Sequence, residues 1–122
     1  MNFIQLLTLS VISNATANLL LKAGVQKLGG FSLEKANIFA ELLRAATNPF
    51  IAGGLILYGF SFVLWLKVLT TNDLSRSYPI FVTFVFILTT VGSVKLFGES
   101  VSTIRIIGMI IAIIGIYVIA RT

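Results

Sequence analysis

The chain has 122 residues, of which 57% are hydrophobic, and its mean hydropathy is +1.04. A soluble domain holds about 45–50% apolar residues, so this composition excludes an ordinary soluble protein. The chain contains neither cysteine nor histidine, which removes thiol chemistry and the usual metal ligand, and we expect no metal, no cofactor and no enzymatic activity. The formal net charge of +5 comes from basic residues near the ends of apolar segments, where lipid headgroups rather than nucleic acid are the expected partner.

Four apolar segments predict four membrane-spanning helices, at about residues 3–23, 49–70, 78–97 and 103–120. Each is close to the length of about 20 residues with which an α-helix crosses about 30 Å of hydrocarbon. The expected fold class is therefore all-α integral membrane, with one domain over residues 1–122 and a short amphipathic helix between the first two segments.

The first segment carries a polar stripe. Ser10, Asn14, Asn18 and Lys22 recur every four residues and so share one helix face. Polar groups in hydrocarbon are costly unless they face protein or a water-filled cavity. The stripe predicts a pathway for a polar cargo, and the alternative is hydrogen bonding between helices. Lys22 could bind a phosphate or extend to the interface.

The long connection after the first segment predicts an amphipathic helix at about residues 33–46, lying in the membrane interface. Ser32 is the expected N-cap, and Glu34 stands in the first turn, where the helix dipole favours an acid. The alternative is an extension of the second membrane helix, broken before Pro49. The expected apolar face comprises Leu33, Ala36, Phe39, Ala40 and Leu43.

Two aromatic residues belong to the candidate cargo pathway. Trp65, near the end of the second segment, could line a cavity or lie in an interfacial aromatic belt. Tyr78 could direct its hydroxyl at cargo or anchor the third segment at the interface. Pro79 is expected in the first turn of that helix, where its missing N–H costs little. Turns are predicted at 71–75 and at Gly98-Glu99-Ser100, so successive helices should be antiparallel neighbours.

Small residues recur in the fourth segment. Gly108, Ala112 and Gly115 follow spacings of four and three, so they lie on one helix face. Such a face lets another membrane helix approach closely. Four helices enclose little volume, and we therefore expect a dimer that forms through this segment.

Acidic residues are absent from all four apolar segments. Glu34, Glu41, Asp73 and Glu99 map to loops or helix ends. A proton-coupled cation exporter needs a base within the membrane, so the sequence argues against this mechanism unless a partner subunit supplies the acid. The positive-inside rule favours both termini outside the cytoplasm, since six of the nine basic residues flank the opposite side: Lys22, Lys27, Lys35, Arg44, Lys95 and Arg105.

Several motifs together resemble the drug/metabolite transporter superfamily. The likeness covers about residues 54–120 and, more loosely, the first segment. Four helices point to the single-repeat members, which the resemblance implies assemble as dimers, often antiparallel. The motifs are Leu64-Trp65-Leu66-Lys67-Val68-Leu69, Ser75-Arg76-Ser77-Tyr78-Pro79-Ile80, Val94-Lys95-Leu96-Phe97-Gly98-Glu99-Ser100-Val101-Ser102 and Ile106-Ile107-Gly108 through Gly115.

Two branches of this superfamily compete. The small multidrug resistance family has a glutamate in its first helix that binds both proton and cation, and Asn14 falls at that position. The small flippase subunits for aminoarabinose-phosphoundecaprenol also lack the glutamate and look more similar to this chain. That likeness implies an amide-rich groove for a sugar, with Lys22, Lys95 or Arg105 near a phosphate.

The sequence thus predicts a multi-pass transporter of the bacterial inner membrane that moves a lipid-linked sugar, or a similar amphiphile, between leaflets. Its partners would be membrane lipid and a second subunit, in a homodimer or in a heterodimer with a paralogous chain. One alternative is a small multidrug or metabolite exporter. A second alternative is an accessory membrane subunit that does not itself transport.

Overall fold

The computed structural model describes residues 2–30, 34 and 37–122, and all regular structure in this part of the chain is helical. Four of the five helices are long and apolar enough to cross a membrane. The expected fold class, a multi-pass membrane protein with one short additional helix, is confirmed. The helices are α1 (Phe3–Leu28), α2 (Ile38–Ala46), α3 (Pro49–Thr71), α4 (Leu74–Phe97) and α5 (Thr103–Ala120).

The ends of α1 follow from its capping residues. Asn2 accepts from the Gln5 backbone N–H at 2.8 Å, and the Gln5 side chain accepts from the Asn2 N–H at 3.2 Å, which closes a capping box. The helix continues past the predicted end near residue 23, because its last turns contain no proline and its glycine there, Gly24, is buried against α3. It stops at Gly29, whose positive φ of 77° is the left-handed conformation that glycine adopts most readily.

The start of α4 differs from the prediction. Asp73, in extended conformation, is the N-cap, so only Asn72 and Asp73 connect α3 to α4 and the predicted turn at 71–75 is shorter. Pro79 consequently lies inside the helix rather than in its first turn. Its missing N–H removes the bond that would reach the Ser75 carbonyl one turn earlier.

The short helix α2 begins later than predicted. Asn37 is its N-cap, with a side-chain oxygen that accepts from the Ala40 N–H at 3.1 Å. The expected cap at Ser32 and the helix start at Leu33 lie outside the described residues. Thr47 and Asn48 separate α2 from α3, and Asn48 caps α3 through the Phe50 and Ile51 N–H groups at 2.9 and 3.2 Å. The two helices are therefore distinct.

The amphipathic helix α2 has its charged side toward the protein. Glu41 is buried, and Arg44 pairs with it at 2.6 Å. The same guanidinium donates to the carbonyl oxygens of Leu28 and Gly30 at 3.1 and 2.9 Å. These carbonyls lie at the C-terminal end of α1, where the helix dipole favours a cation. The large apolar side chains point away from the protein and are exposed: Ile38, Phe39, Leu42 and Leu43.

Helix α1 is the centre of the bundle. It packs most extensively against α3 and next against α4. Glycines permit both contacts: a Cβ at Gly54 of α3 would lie 3.1 Å from the Ala17 carbonyl oxygen, and one at Gly92 of α4 would lie 2.5 Å from the Leu19 Cδ1 atom. A methyl group at Gly54 or Gly92 would force its neighbours to shift, so these glycines favour the close approach of the helices.

Helix α5 is peripheral and packs against α4 alone. Arg76, near the start of α4, donates to the Ala120 carbonyl oxygen at 3.1 Å and joins the two helices at one end. No residue of α5 is buried within the chain. The predicted small-residue face is open, since a Cβ at Gly108 or Gly115 would have no atom within 4 Å.

We expect Gly24→Ala to lower the free energy of unfolding by about 1–3 kcal/mol, the cost typical of an overpacked core. A Cβ at Gly24 would lie 2.5 Å from Ile51 Cγ1 and 3.0 Å from the Asn48 side-chain oxygen that caps α3. Thermal unfolding in detergent measures the change. Gly53→Ala is the matched control, because its Cβ would meet only Leu20 Cδ1 at 3.8 Å. Equal stability of the two variants would contradict the close contact of α1 with α3.

Candidate functional site

A cavity of about 460 Å³ lies between α1, α3 and α4. This volume is in the range of small-molecule sites, which run from about 300 to 1,000 Å³. Helix α1 contributes one amide to the wall, and α3 and α4 contribute aromatic rings, hydroxyl groups and a glycine. The lining residues are Asn14, Tyr58, Gly59, Ser61, Phe62, Trp65, Tyr78 and Phe81.

Three of the residues predicted for the cargo pathway meet in this cavity. Asn14, Trp65 and Tyr78 come from three different helices and line the same space. Asn18 lies one turn beyond Asn14 and reaches the cavity indirectly, through a hydrogen bond from the Tyr58 hydroxyl.

The amides of α1 and the Tyr58 hydroxyl form a hydrogen-bonded chain. Tyr58 donates to the Asn18 side-chain oxygen. The Asn18 side-chain nitrogen then donates to the backbone carbonyl of Asn14 at 3.1 Å and to its side-chain oxygen at 3.0 Å. All three residues are half-buried, so the polar groups are paired within the protein where the membrane offers no water.

Ser10 lies in a contact between helices and does not line the cavity. It is fully buried, and its hydroxyl donates to the Ser61 carbonyl oxygen at 3.2 Å. The Ser61 hydroxyl donates to the Ser10 carbonyl oxygen at 3.0 Å, and the two hydroxyl oxygens are 3.1 Å apart. The pair joins α1 to α3 through reciprocal bonds, the arrangement that small hydroxyl residues commonly form between membrane helices.

The aromatic wall is built around Trp65. Its ring centroid lies 4.8 Å from that of Phe81, with an angle of 37° between the planes, and 6.1 Å from that of Tyr78, with an angle of 57°. Tilted pairs at such separations are favourable for aromatic rings. Trp65 is half-buried and also packs beside the core residues Leu7 and Ile80. It lies in the cavity wall.

The predicted phosphate contacts lie at one end of the bundle, outside the cavity. Lys22 pairs with Glu99 of the predicted Gly98-Glu99 turn at 3.5 Å, and both side chains are about half exposed. Gly98 ends α4 with a φ of 66°. Lys95, in the last turn of α4, and Arg105, in the first turn of α5, are exposed and form no ion pair within the described residues.

Of the α3 residues that line the cavity, the sequence predicted only Trp65. Tyr58, Ser61, Phe62 and Trp65 follow the spacing i, i+3, i+4, i+7, so they form one helix face. This pattern was readable, but aromatic residues are common throughout an apolar helix and do not stand out as amides do. Phe81 and Gly59 carried no distinguishing signal.

Comparison with known proteins identifies relatives over most of the chain. The model of the Small Multidrug Resistance protein family matches residues 42–113, which leaves α1 and its amides outside the match. No solved structure matches the chain significantly.

Two curated relatives carry the name "Probable 4-amino-4-deoxy-L-arabinose-phosphoundecaprenol flippase subunit ArnF". The one from Proteus mirabilis is 32% identical over 115 residues, covering 92% of this chain and 86% of the relative. The one from Photorhabdus laumondii is 29% identical over 116 residues, covering 93% and 92%. A third relative, "Uncharacterized protein y4nH" of Sinorhizobium fredii, is 30% identical over 82 residues, covering 67% of this chain and 70% of the relative.

These relatives confirm both branches of the predicted resemblance. The likeness to the flippase subunits extends over almost the whole chain, including α1. The family model spans α3, α4 and most of α5, which is more than half of the chain. The chain therefore belongs to the small multidrug resistance protein family.

Proposed function

We propose that this protein is a membrane transporter that moves a lipid-linked sugar, a polyprenyl-phosphate glycan or a similar amphiphile, between leaflets. The observation that carries the proposal is the cavity, which joins the Asn14 amide to a wall of aromatic rings. Aromatic rings present flat apolar faces to a sugar ring, and an amide can pair with its hydroxyl groups.

Part of the cavity wall is exposed on the outside of the helix bundle, which suits a cargo that carries a lipid tail. Phe62 and Tyr78 are 59% and 54% exposed, although both belong to spanning helices. Surface exposed on a spanning helix faces lipid or another subunit, so a tail could remain in the bilayer while the sugar occupies the cavity. The exposure of these two lining residues supports a cavity that opens toward the membrane interior.

The phosphate of such a cargo would lie near the boundary of the membrane. Lys95 and Arg105 stand at adjoining ends of α4 and α5, exposed and without an ion pair among the described residues. Lys22 would have to exchange Glu99 for the phosphate. Either route keeps the phosphate charge outside the hydrocarbon, where it would be costly.

A dimer would complete the transporter. Gly108, Ala112 and Gly115 lie on one face of α5, and a Cβ on either glycine would have open space around it. A second copy, or a paralogous subunit, can cover this face through close helix packing. Rocking of the two subunits about the cavity would then expose it to each side in turn. The bacterial inner membrane is the proposed location, since polyprenyl-phosphate carriers cross leaflets there.

Two other functions are favoured by particular observations. The family match favours a small multidrug or metabolite exporter. The four acidic residues, however, all lie outside α1, α3, α4 and α5, so those helices hold no carboxylate that could exchange a proton for a cation. The word "subunit" in the relatives' names favours an accessory chain, which liposomes containing this protein alone would reveal by their failure to move cargo.

We expect replacement of both Asn14 and Asn18 by leucine to abolish cargo movement, because the cavity would lose its amide and the bond from Tyr58. The assay uses liposomes with an amino-sugar polyprenyl phosphate, labelled on its amine by a reagent that cannot cross the membrane. Thr16→Leu, an exposed polar position on the same helix, is the control and should transport normally. Full activity of the double variant, with folding unchanged, would remove the amides from the pathway.

We expect Gly108→Leu together with Gly115→Leu to yield monomers, since leucine on this face would separate two close-packed helices. Crosslinking in membranes, followed by size analysis, measures the dimer fraction. Ile106→Leu, at an exposed position on the opposite face of α5, should leave that fraction unchanged. Dimers that persist in the double glycine variant would move the contact to another surface.

A further inference from the structure

We infer that Tyr58 and Asn18 hold the Asn14 amide with its NH₂ group toward the cavity, so that the site donates hydrogen bonds to its cargo. The ligand class is then a neutral group rich in acceptor oxygens, such as a sugar, rather than a cation. This inference rests on the proposed use of the cavity for cargo. It assigns positioning roles to Tyr58 and Asn18, which act through Asn14.

The orientation of both amides follows from one backbone atom. The Asn14 carbonyl oxygen can only accept, so the Asn18 atom that lies 3.1 Å from it must be the side-chain nitrogen. That nitrogen also lies 3.0 Å from a side-chain atom of Asn14, which must be oxygen, because two NH₂ groups would face each other otherwise. The remaining Asn18 atom is the oxygen, and it accepts from the Tyr58 hydroxyl.

The same hydrogen bonds determine which side-chain group of Asn14 is available to a ligand. Its side-chain oxygen is already engaged by Asn18, whereas its NH₂ group has no hydrogen-bond partner among the described residues. Asn14 lines the cavity, where polar groups from the ligand could meet it. An NH₂ group donates only, so it complements oxygens and repels a cation. A bond from Tyr58 to Asn18 also polarises the chain and strengthens the last donor.

Trp65 provides a native reporter for this inference. It is the sole tryptophan of the chain and lies in the cavity wall. Its fluorescence in reconstituted protein can be titrated with two probes, a polyprenyl-phosphate hexose and tetraethylammonium. We expect the wild type to bind the hexose lipid more tightly than the cation.

The decisive measurement is the ratio of the two affinities in Tyr58→Phe. Loss of the hydroxyl leaves the Asn18 oxygen without its donor and weakens the polarised chain that ends at Asn14, and we expect about a tenfold loss of preference for the hexose lipid, the size of one oriented hydrogen bond. Asn14→Asp, which keeps the shape but replaces the donor by a negatively charged acceptor, should reverse the preference. Tyr117→Phe removes a hydroxyl from α5, outside the cavity, and should leave the ratio unchanged.

The outcomes separate this inference from the proposed function. An unchanged ratio in Tyr58→Phe, with lipid movement intact in the wild type, would overturn the orienting role alone. A wild type that prefers the cation would overturn it as well. If the ratio shifts as expected but no variant moves lipid across liposomes, the donor site stands and the transport proposal fails.

An independent observation concerns α2, and we infer that this helix lies on the membrane surface with its apolar face among the acyl chains. Its charged residues face the protein: Glu41 is 4% exposed, and Arg44 bonds to the end of α1. Its outward face is apolar, with Phe39 69% and Leu42 51% exposed. A helix in water shows the reverse arrangement.

The position of α2 selects lipid as the occupant of that face. The helix connects the C-terminal end of α1 to the N-terminal end of α3, two spanning helices, so it stands at the boundary of the hydrocarbon. The apolar medium at this level is the junction of headgroups and acyl chains. Lys22, Lys95 and Arg105 lie at the same end of the bundle and would meet anionic headgroups.

The test places a tryptophan on each side of α2 in a Trp65→Phe background. In vesicles of phosphatidylcholine and phosphatidylglycerol, lipids brominated near the headgroup should reduce the fluorescence of Phe39→Trp about twofold. Ala45→Trp, one helical turn after the buried Glu41 and itself only partly exposed, should change less. Leu42→Trp repeats the measurement should Phe39→Trp fail to fold. Unquenched emission from the outward positions would show that a second copy or another protein covers this face and would overturn the inference.

Discussion

Water is missing from the interior of a bilayer, and the rest of this structure depends on that constraint. A polar side chain on a spanning helix must find its partner within the protein. In the polar stripe of the central helix α1, the side chains of Ser10, Asn14 and Asn18 are each bonded. Ser10 meets Ser61 of α3, Asn18 meets Tyr58 of α3, and Asn14 accepts from Asn18. Two residues of the stripe, Ser10 and Asn18, therefore add hydrogen bonds to the close packing of α1 against α3.

The residues of the stripe differ in what their hydrogen bonds leave available. The reciprocal bonds of Ser10 and Ser61 leave neither hydroxyl free, so this level of the bundle is structural. One helical turn further, the cavity opens, and the Asn14 NH₂ group is left over after the internal bonds are made. Two turns beyond that level, Lys22 reaches the boundary and pairs with Glu99. A single helix face thus contributes in turn to a contact between helices, to the cavity wall and to a surface ion pair.

The helices of the bundle are unequally enclosed. Helix α1 is enclosed by α3 and α4, whereas α5 contacts α4 only and has no buried residue. In lipid this exposure costs little, since acyl chains are as apolar as isoleucine. The small residues of α5 nevertheless leave a shallow face beside its bulky side chains. This face of α5 and the outward apolar face of α2 are two exposed surfaces that suit contact with lipid or with a second subunit.

The sequence by itself determined the number of spanning helices, the central polar stripe and three of the cavity residues. Hydropathy over about 20 residues and a spacing of four are properties of one helix, so they can be read without neighbours. Helix ends were less accessible: α4 starts at Leu74, five residues before Pro79, although Asp73 makes no side-chain capping bond, and α2 starts at Ile38, where Asn37 caps it. The residue at which each helix begins depends on how short the connection between the packed helices can be.

Only the tertiary structure decided which polar residues face the cavity and which join helices. Ser10 and Asn14 have the same spacing and similar chemistry, but Ser61 lies opposite the first and the cavity lies beside the second. Likewise, Tyr58 became the partner of Asn18 because two glycines, Gly54 and Gly24, bring α1 and α3 into close contact. The sequence places a side chain on a face of its own helix, but what lies opposite that face depends on the packing of the other helices.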